Sequence, residues 1–305
     1  ITGYRHYFSR SSDDNDNSPV AFIGGAYSYF THNQFSQELR LNGQFGERLH
    51  YTLGGYYFDK SSENVSRITL PTLEWSENNV VPSTTKAVFA NVDFALTDKL
   101  NFVAGARYTD VSKTFHYGRL GIPGVAGGLP PASLAPLNGL VRTYADDRLD
   151  YRAVAQYRWN DALMTYLQVS TGFKGGGVNP RPYLPSQVQP FNPETVTTYE
   201  VGSKNFFLGR RLRLNVSTFY SDYKDIQLLL VQCPQFNPPG FPESFPCAAP
   251  QNAGDAERIE RDIDNERQVA LDGAGTHKRR NSLVHLGARR RCRWLGTGLG
   301  HQSRC

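Results

Sequence analysis

Few residues in this 305-residue chain have the types and spacings that carry chemistry. His6, His32, His50 and His116 lie far apart, in no metal-ligand spacing, and His277, His285 and His301 fall in a compositionally odd C-terminal stretch. Gly175-Gly176-Gly177 lacks the Lys-Ser/Thr that follows a phosphate-binding loop, so it reads as flexibility at a strand-to-loop junction. Asp146, Asp147 and Asp150 offer oxygen ligands for calcium, as do Asp13, Asp14 and Asp16, but both groups read as solvated acidic loop bases. No nucleophile, base and orienting group recur in a catalytic arrangement, so neither enzyme chemistry nor a cofactor is expected. More suggestive are Lys174, Arg181 and Tyr183 at the start of a long loop, where two cations and an aromatic suit an anionic ligand; the alternative is ordinary loop solvation. Cys233 and Cys247 bracket a Pro/Phe-rich loop and could form a disulfide or remain independent thiols. With Cys292 and Cys305 in the odd tail and no CxxC pair, a structural zinc site is not expected.

The elements that must position these residues read as strands. From Arg211 to Ser221, Leu212, Leu214, Val216, Thr218 and Tyr220 alternate with Arg213, Asn215, Ser217 and Phe219. From Leu100 to Thr109, Leu100, Phe102, Ala104, Ala106 and Tyr108 alternate with Asn101, Gly105 and Arg107. Period-two alternation places one apolar and one polar face on a strand. Short turns fall at Phe45-Gly46-Glu47-Arg48, Leu96-Thr97-Asp98-Lys99, Trp159-Asn160-Asp161 and Leu208-Gly209-Arg210. Long polar or Pro/Gly-rich loops fall at about 60–84, 112–147, 174–193 and 232–252. Tight turns at one end and long loops at the other are expected of a transmembrane barrel. Nine strands follow, at roughly 1–8, 35–45, 48–59, 84–96, 99–111, 148–158, 162–173, 194–207 and 210–223, with strand-like residues at about 20–31 assigned to the first long excursion. Aromatics cluster where interfacial girdles would lie, at Tyr4, Tyr7 and Phe8, at Tyr56, Tyr57 and Phe58, and at Phe206 and Phe207. The expected fold is therefore all-β, an antiparallel up-and-down transmembrane β-barrel, present in part as about nine strands.

The formal charge of +5 is a poor guide to partners. Residues 1–256 carry 22 basic and 22 acidic side chains, so the whole excess comes from residues 257–305. A nucleic-acid footprint is not expected. The longest apolar runs are four residues, as in Leu228-Leu229-Leu230-Val231, so no helix reads as a membrane span. The chain opens Ile1-Thr2-Gly3-Tyr4 without a signal peptide, which reads as a truncated start.

Several segments resemble the barrel of TonB-dependent outer-membrane receptors. They are Ile1-Thr2-Gly3-Tyr4-Arg5, Phe35-Ser36-Gln37-Glu38-Leu39-Arg40-Leu41, Ala104-Gly105-Ala106-Arg107-Tyr108-Thr109, Ser170-Thr171-Gly172-Phe173-Lys174-Gly175-Gly176-Gly177, and Phe191-Asn192-Pro193-Glu194-Thr195 through Tyr199-Glu200-Val201-Gly202-Ser203-Lys204. Phe219-Tyr220-Ser221-Asp222-Tyr223-Lys224-Asp225-Ile226 and Asn252-Ala253-Gly254-Asp255-Ala256 continue the series in order. The resemblance implies a barrel of about 22 strands with a plugged lumen, in a chain more than twice this length. It implies outer-membrane lipid, a scarce ligand such as an iron–siderophore complex, and an inner-membrane energising complex as partners, the last reached through a plug that has no counterpart here. Lys174, Arg181 and Tyr183 would then stand above the barrel mouth and meet anionic iron chelates. Arg107, Arg211 and Arg213 would face the lumen in structural roles. The oxidising exterior would favour a Cys233–Cys247 bridge. A passive porin-like channel and a soluble all-β adhesin or binding module are the alternatives.

Beyond Ala256 the strand pattern stops. Glu257-Arg258-Ile259-Glu260-Arg261-Asp262 and Arg289-Arg290-Arg291-Cys292-Arg293 read as a disordered, frameshifted Arg-rich tail over residues 257–305, to which no function is assigned.

Overall fold

The computed structural model describes residues 1–14, 24–70, 73–121, 135–240, 247–267 and 282–285. Its strands, in chain order, are β1 (Thr2–Asp14), β2 (Gly24–Phe45), β3 (Leu49–Leu70), β4 (Leu73–Ala95), β5 (Leu100–Gly121), β6 (Leu140–Asn160), β7 (Leu163–Lys174), β8 (Gly177–Val178), β9 (Pro190–Phe191), β10 (Glu194–Phe207), β11 (Leu212–Lys224), β12 (Gln227–Leu230), β13 (Ala249–Asn252), β14 (Ala256–Arg267) and β15 (Ser282–His285). Eleven of them form one antiparallel sheet in the order β1-β2-β3-β4-β5-β6-β7-β10-β11-β14-β15, an up-and-down meander. β8 pairs with β9 and β12 with β13 as small excursions from it. No helix among the described residues is long and apolar enough to cross a membrane; this does not bear on crossing by strands.

The four tight turns have local causes. Gly46 takes φ 63°, and Leu208, Gly209 and Arg210 form a left-handed run at 53°, 60° and 69°. Thr97 Oγ1 accepts hydrogen bonds from the Lys99 and Leu100 amides at 3.2 and 2.9 Å. Asn160 Oδ1 accepts from the Ala162 and Leu163 amides at 2.8 and 3.0 Å.

Cross-strand partners share a face, so the registers separate two surfaces. One carries Leu39, Leu41, Leu53, Val88, Phe102, Leu167 and Val201, and Leu39, Leu41, Val88 and Leu167 each keep at least 60% of their surface exposed. The other carries Glu38, Arg40, Arg107, Asp150, Arg152, Glu200 and Lys204. On β3 the apolar band runs from Leu49 to Tyr57 and on β5 from Leu100 to Tyr108. At about 3.3 Å per residue that is roughly 26 Å along the strand, or about 20 Å of height at a tilt near 40°, a little under the roughly 25 Å apolar band of an outer-membrane barrel. Lys86, Asp110 and Asp147, paired in sequence across three strands, end it above. β3, β4 and β5 are 22 or 23 residues long, and about 9–11 suffice to span. Roughly half of each therefore continues beyond the band on the long-loop side.

That overhang corrects several expectations. Most of residues 60–84 is strand, not loop: β3 and β4 stay paired up to Leu70 opposite Leu73. Within 112–147, β5 extends to Gly121 and β6 starts at Leu140. The strand-like stretch at 20–31 is the upper end of β2 from Gly24 onward, with residues 20–23 outside the described set. Polar alternation outside the band resembles loop composition, yet continued backbone pairing satisfies each amide and carbonyl. Asp146, Asp147 and Asp150 lie on β6, not at a loop base, and Asp147 faces opposite to the other two, so they do not converge on one ion. The aromatic triplets also divide: Tyr57 shares the apolar face, whereas Tyr56 and Phe58 stack inside with centroids 6.2 Å apart. Successive strand residues alternate, so three in a row cannot all meet lipid.

The chain does not leave the sheet at Ala256. β14 pairs with β11 from Ala256↔Tyr223 to Arg267↔Leu212, and β15 adds four pairs. A ladder is made by main-chain groups and needs no alternation of side chains. Residues 268–281 and 286–305, which include Arg289–Arg293, Cys292 and Cys305, lie outside the described residues.

Candidate ligand-binding site

Above the band, the inner face of β4, β5 and β6 is covered by the excursion 175–193. Phe115, Tyr117, Leu137, Val178 and Val188 form a buried cluster there, with Val81, Leu140, Tyr144 and Tyr183 packed against it. Polar ties fix the excursion to the wall. Lys113 Nζ donates to the Gly176 carbonyl at 2.6 Å, and Tyr117 Oη to the Asn179 carbonyl at 2.6 Å. Asn179 and Gln187, both fully buried, organise it from inside: Asn179 Nδ2 donates to the Gln187 carbonyl at 2.9 Å, and the Tyr183 amide donates to Gln187 Oε1 at 2.8 Å. The Arg181 amide donates to Asn179 Oδ1 at 3.0 Å, which orients the exposed Arg181 side chain's base.

Beneath this lies a buried ion pair. Arg119 Nη2 is 3.4 Å from Glu77 Oε2, and both side chains are essentially without solvent contact. Arg119 Nη1 donates to Asn79 Oδ1 and to the Gly118 carbonyl, and Ser66 Oγ donates to Glu77 Oε1 at 2.7 Å. Burial pushes the Tyr183 phenol above its ordinary range, reinforced by Glu77 and opposed by Arg181 and Arg119. Burial likewise raises Tyr117, against the pull of Arg119 and Arg142. Burial lowers Lys113, and repulsion from Lys60 adds to it.

The second excursion is knitted to the first. Gln227 Nε2 donates to the Asn192 carbonyl at 2.9 Å, Asn252 Nδ2 donates to the same carbonyl at 3.0 Å, and Gln187 Nε2 donates to Asn237 Oδ1 at 3.2 Å. Cys233 and Cys247 are joined as a disulfide with Cα atoms 5.6 Å apart and are buried beside Ala249 and Phe236.

The three site residues named from sequence are therefore separated in role. Arg181 and Tyr183 sit on the packed excursion within electrostatic reach of Arg119, whereas Lys174 ends β7 and pairs with Glu194 at 3.8 Å. Arg107 and Arg213 lie on the inner face, opposite Phe89 and Phe206, with the Arg107 guanidinium 5.2 Å from the Tyr56 ring centroid. Arg211 lies in the turn just before β11, which starts at Leu212. Sequence reading missed Glu77, Asn79, Lys113 and Arg119. The signal was the alternation Lys113, Phe115, Tyr117, Arg119 inside a stretch taken for loop. No group of three or more potential metal-ligating side chains occurs among the described residues.

The model of the TonB dependent receptor-like β-barrel matches residues 2–260. Over 88% of its length the chain is similar to the ferric yersiniabactin uptake receptor FyuA from Yersinia pestis, at 20% identity and TM-score 0.68, covering 37% of that chain. It is similar over the same share to the copper transporter OprC, at 11% identity, TM-score 0.61 and 40% of that chain. A third is the ferripyoverdine receptor of the outer membrane of Pseudomonas aeruginosa, solved bound to ferripyoverdine, at 15% identity, TM-score 0.55 and 36% of that chain. The chain spans about two fifths of the length of these receptors, and the likeness is one of fold. Strand order, lipid-height apolar band and family match agree: this chain belongs to the TonB-dependent receptors, as part of their outer-membrane β-barrel.

Proposed function

We propose that the protein carrying this chain is an active-uptake receptor that captures a scarce ligand of the iron–siderophore type and passes it through the barrel. The supporting observation is the excursion 175–193, folded inward against the wall and presenting Arg181 beside Tyr183 at the mouth. Asn179 and Gln187 fix the backbone that carries Arg181 and Tyr183, so that backbone need not be ordered on binding, which lowers its cost. The apolar face meets lipid and the charged face lines the lumen. Energy would come from the inner-membrane complex through a plug, and the chemistry is capture and gating, without bond making. Lys174, tied to Glu194, has the weakest claim to ligand contact.

The test is uptake of radio-iron from ferric hydroxamates, catecholates and phenolates by iron-starved cells with and without the gene. Loss of one chelate's uptake on deletion, abolished also by a protonophore, is expected. Unchanged uptake of every chelate sinks the iron reading, and protonophore-insensitive uptake favours a passive channel. Residues 257–305 are proposed to be read from a shifted frame, with part of that stretch, Glu257–Arg267, still taken up by main-chain pairing along β11; resequencing the locus across and beyond the Asp255 codon decides it.

A further inference from the structure

The even charge of residues 1–256 hides a segregation. On the inner face above the band, Arg5, Lys60 and Lys113 lie in one register row, connected through Gln34 and Ser83. Above that row stand Arg119 on β5, Arg142 opposite Phe115, and Arg181 on the packed excursion. The carboxylates facing this chamber from the described strands are Glu77, consumed by Arg119, and Asp146; Glu194 is taken by Lys174. More acids lie on the opposite face: Asp59, Glu63, Asp110 and Asp147 share the outward register above the band, together with Lys86 and Arg67.

We propose that the upper lumen is a cation-lined chamber selecting ligands with more than one negative charge, and that Arg142 and Arg181 are specificity-determining residues within it. This rests on the receptor reading above and narrows its ligand class. Lys113 and Lys60 are close enough to repel each other, and burial already opposes the charge of Lys113. Among the described residues Arg142 Nη1 donates to the Val141 carbonyl at 3.0 Å and its side chain is exposed, as is that of Arg181. Both keep donors for a carboxylate or catecholate oxygen. Like charges held together in a partly dry chamber raise the local potential and favour a multiply charged anion over a neutral chelate of the same size.

The test uses the full-length receptor, purified in detergent. Its binding of a trianionic ferric tris-catecholate and of a neutral ferric tris-hydroxamate is measured by tryptophan fluorescence quenching at low and moderate salt. The expected result is tighter binding of the trianion, weakening with salt. R142Q/R181Q should lose about tenfold or more for the trianion and under about twofold for the neutral chelate. R142K/R181K should retain most of the preference, which separates charge from packing. Equal affinity of the wild type for both chelates, or equal losses in the glutamine variant, overturns the charge proposal and leaves the receptor reading standing. Binding of neither chelate overturns both.

Discussion

Replacing Leu167 by Arg tests the membrane assignment at its centre. Leu167 lies four residues above Leu163, the first residue of β7, opposite Val201 and Ala155, and is 62% exposed. At about 3.3 Å per residue and a strand tilt near 40°, it sits roughly 10 Å above the turn-side edge of a band about 25 Å tall, close to the midplane. An Arg on the lipid face at that depth costs about 2–4 kcal/mol; 3 kcal/mol is about a 150-fold change in the folded ratio. The control is Thr143→Arg, an exposed position that shares the outward register but lies above the band, opposite Thr114. There the side chain meets water and the change should stay within about 0.5 kcal/mol. The assay is urea unfolding of the full-length receptor in lipid vesicles, with heat-modifiable gel mobility of the outer-membrane protein as a second readout. Equal, small effects at both positions would refute the argument and return the apolar face to a soluble sheet.

Four other outcomes follow from the same fold. Arg119→Met strands Glu77 in a buried site and should destabilise the overhang by about 3–5 kcal/mol, whereas Glu77→Gln with Arg119→Met should recover much of it; chymotryptic cleavage near Tyr183 on intact cells reads the difference. A Cβ at Gly202 would sit 2.5 Å from the Tyr166 ring, which is held by its hydrogen bond to Glu200; Gly202→Ala should cost about 1–3 kcal/mol, and Tyr166→Ala in the same chain should remove that increment. Opening the Cys233–Cys247 bridge, which closes a separation of 14 residues, should free the second excursion by about 3 kcal/mol, seen as faster proteolysis there with the barrel intact. The buried phenols of Tyr117 and Tyr183 have raised pKa values. The unfolded state therefore loses these protons first as pH rises past 10, and the overhang loses stability above that pH; Tyr117→Phe should flatten the slope, measured by unfolding at stepped pH.

What could be read from the residues follows physical lines. In the lipid-height band, one strand face must be apolar and the other must not, so Leu212–Tyr220 and Leu100–Tyr108 declared their faces. The tight turns were legible because Gly46, Thr97, Asn160 and Gly209 each perform a local backbone task. Above the band both faces meet polar surroundings, alternation fades, and residues 60–70, 73–83 and 112–121 passed for loop although they are ladder. The Glu77–Arg119 pair was invisible for a related reason. It joins residues 42 positions apart through β4–β5 pairing, and such proximity appears only once the register is known. Arg181 and Tyr183 could be named because their loop begins at a recognisable strand end, but the division of labour between them and Lys174 depends on how that loop folds back.

The up-and-down order of the main sheet has an evolutionary consequence. Each strand pairs only with its neighbours along that order, so the wall is a string of hairpins in which two strands form a removable unit. Excising β4 and β5 would leave β3 and β6 antiparallel and still able to keep apolar faces in phase. Circumference can thus change by whole hairpins without redesigning the rest, while a single-strand change would reverse every later strand and carry each excursion to the wrong side of the membrane.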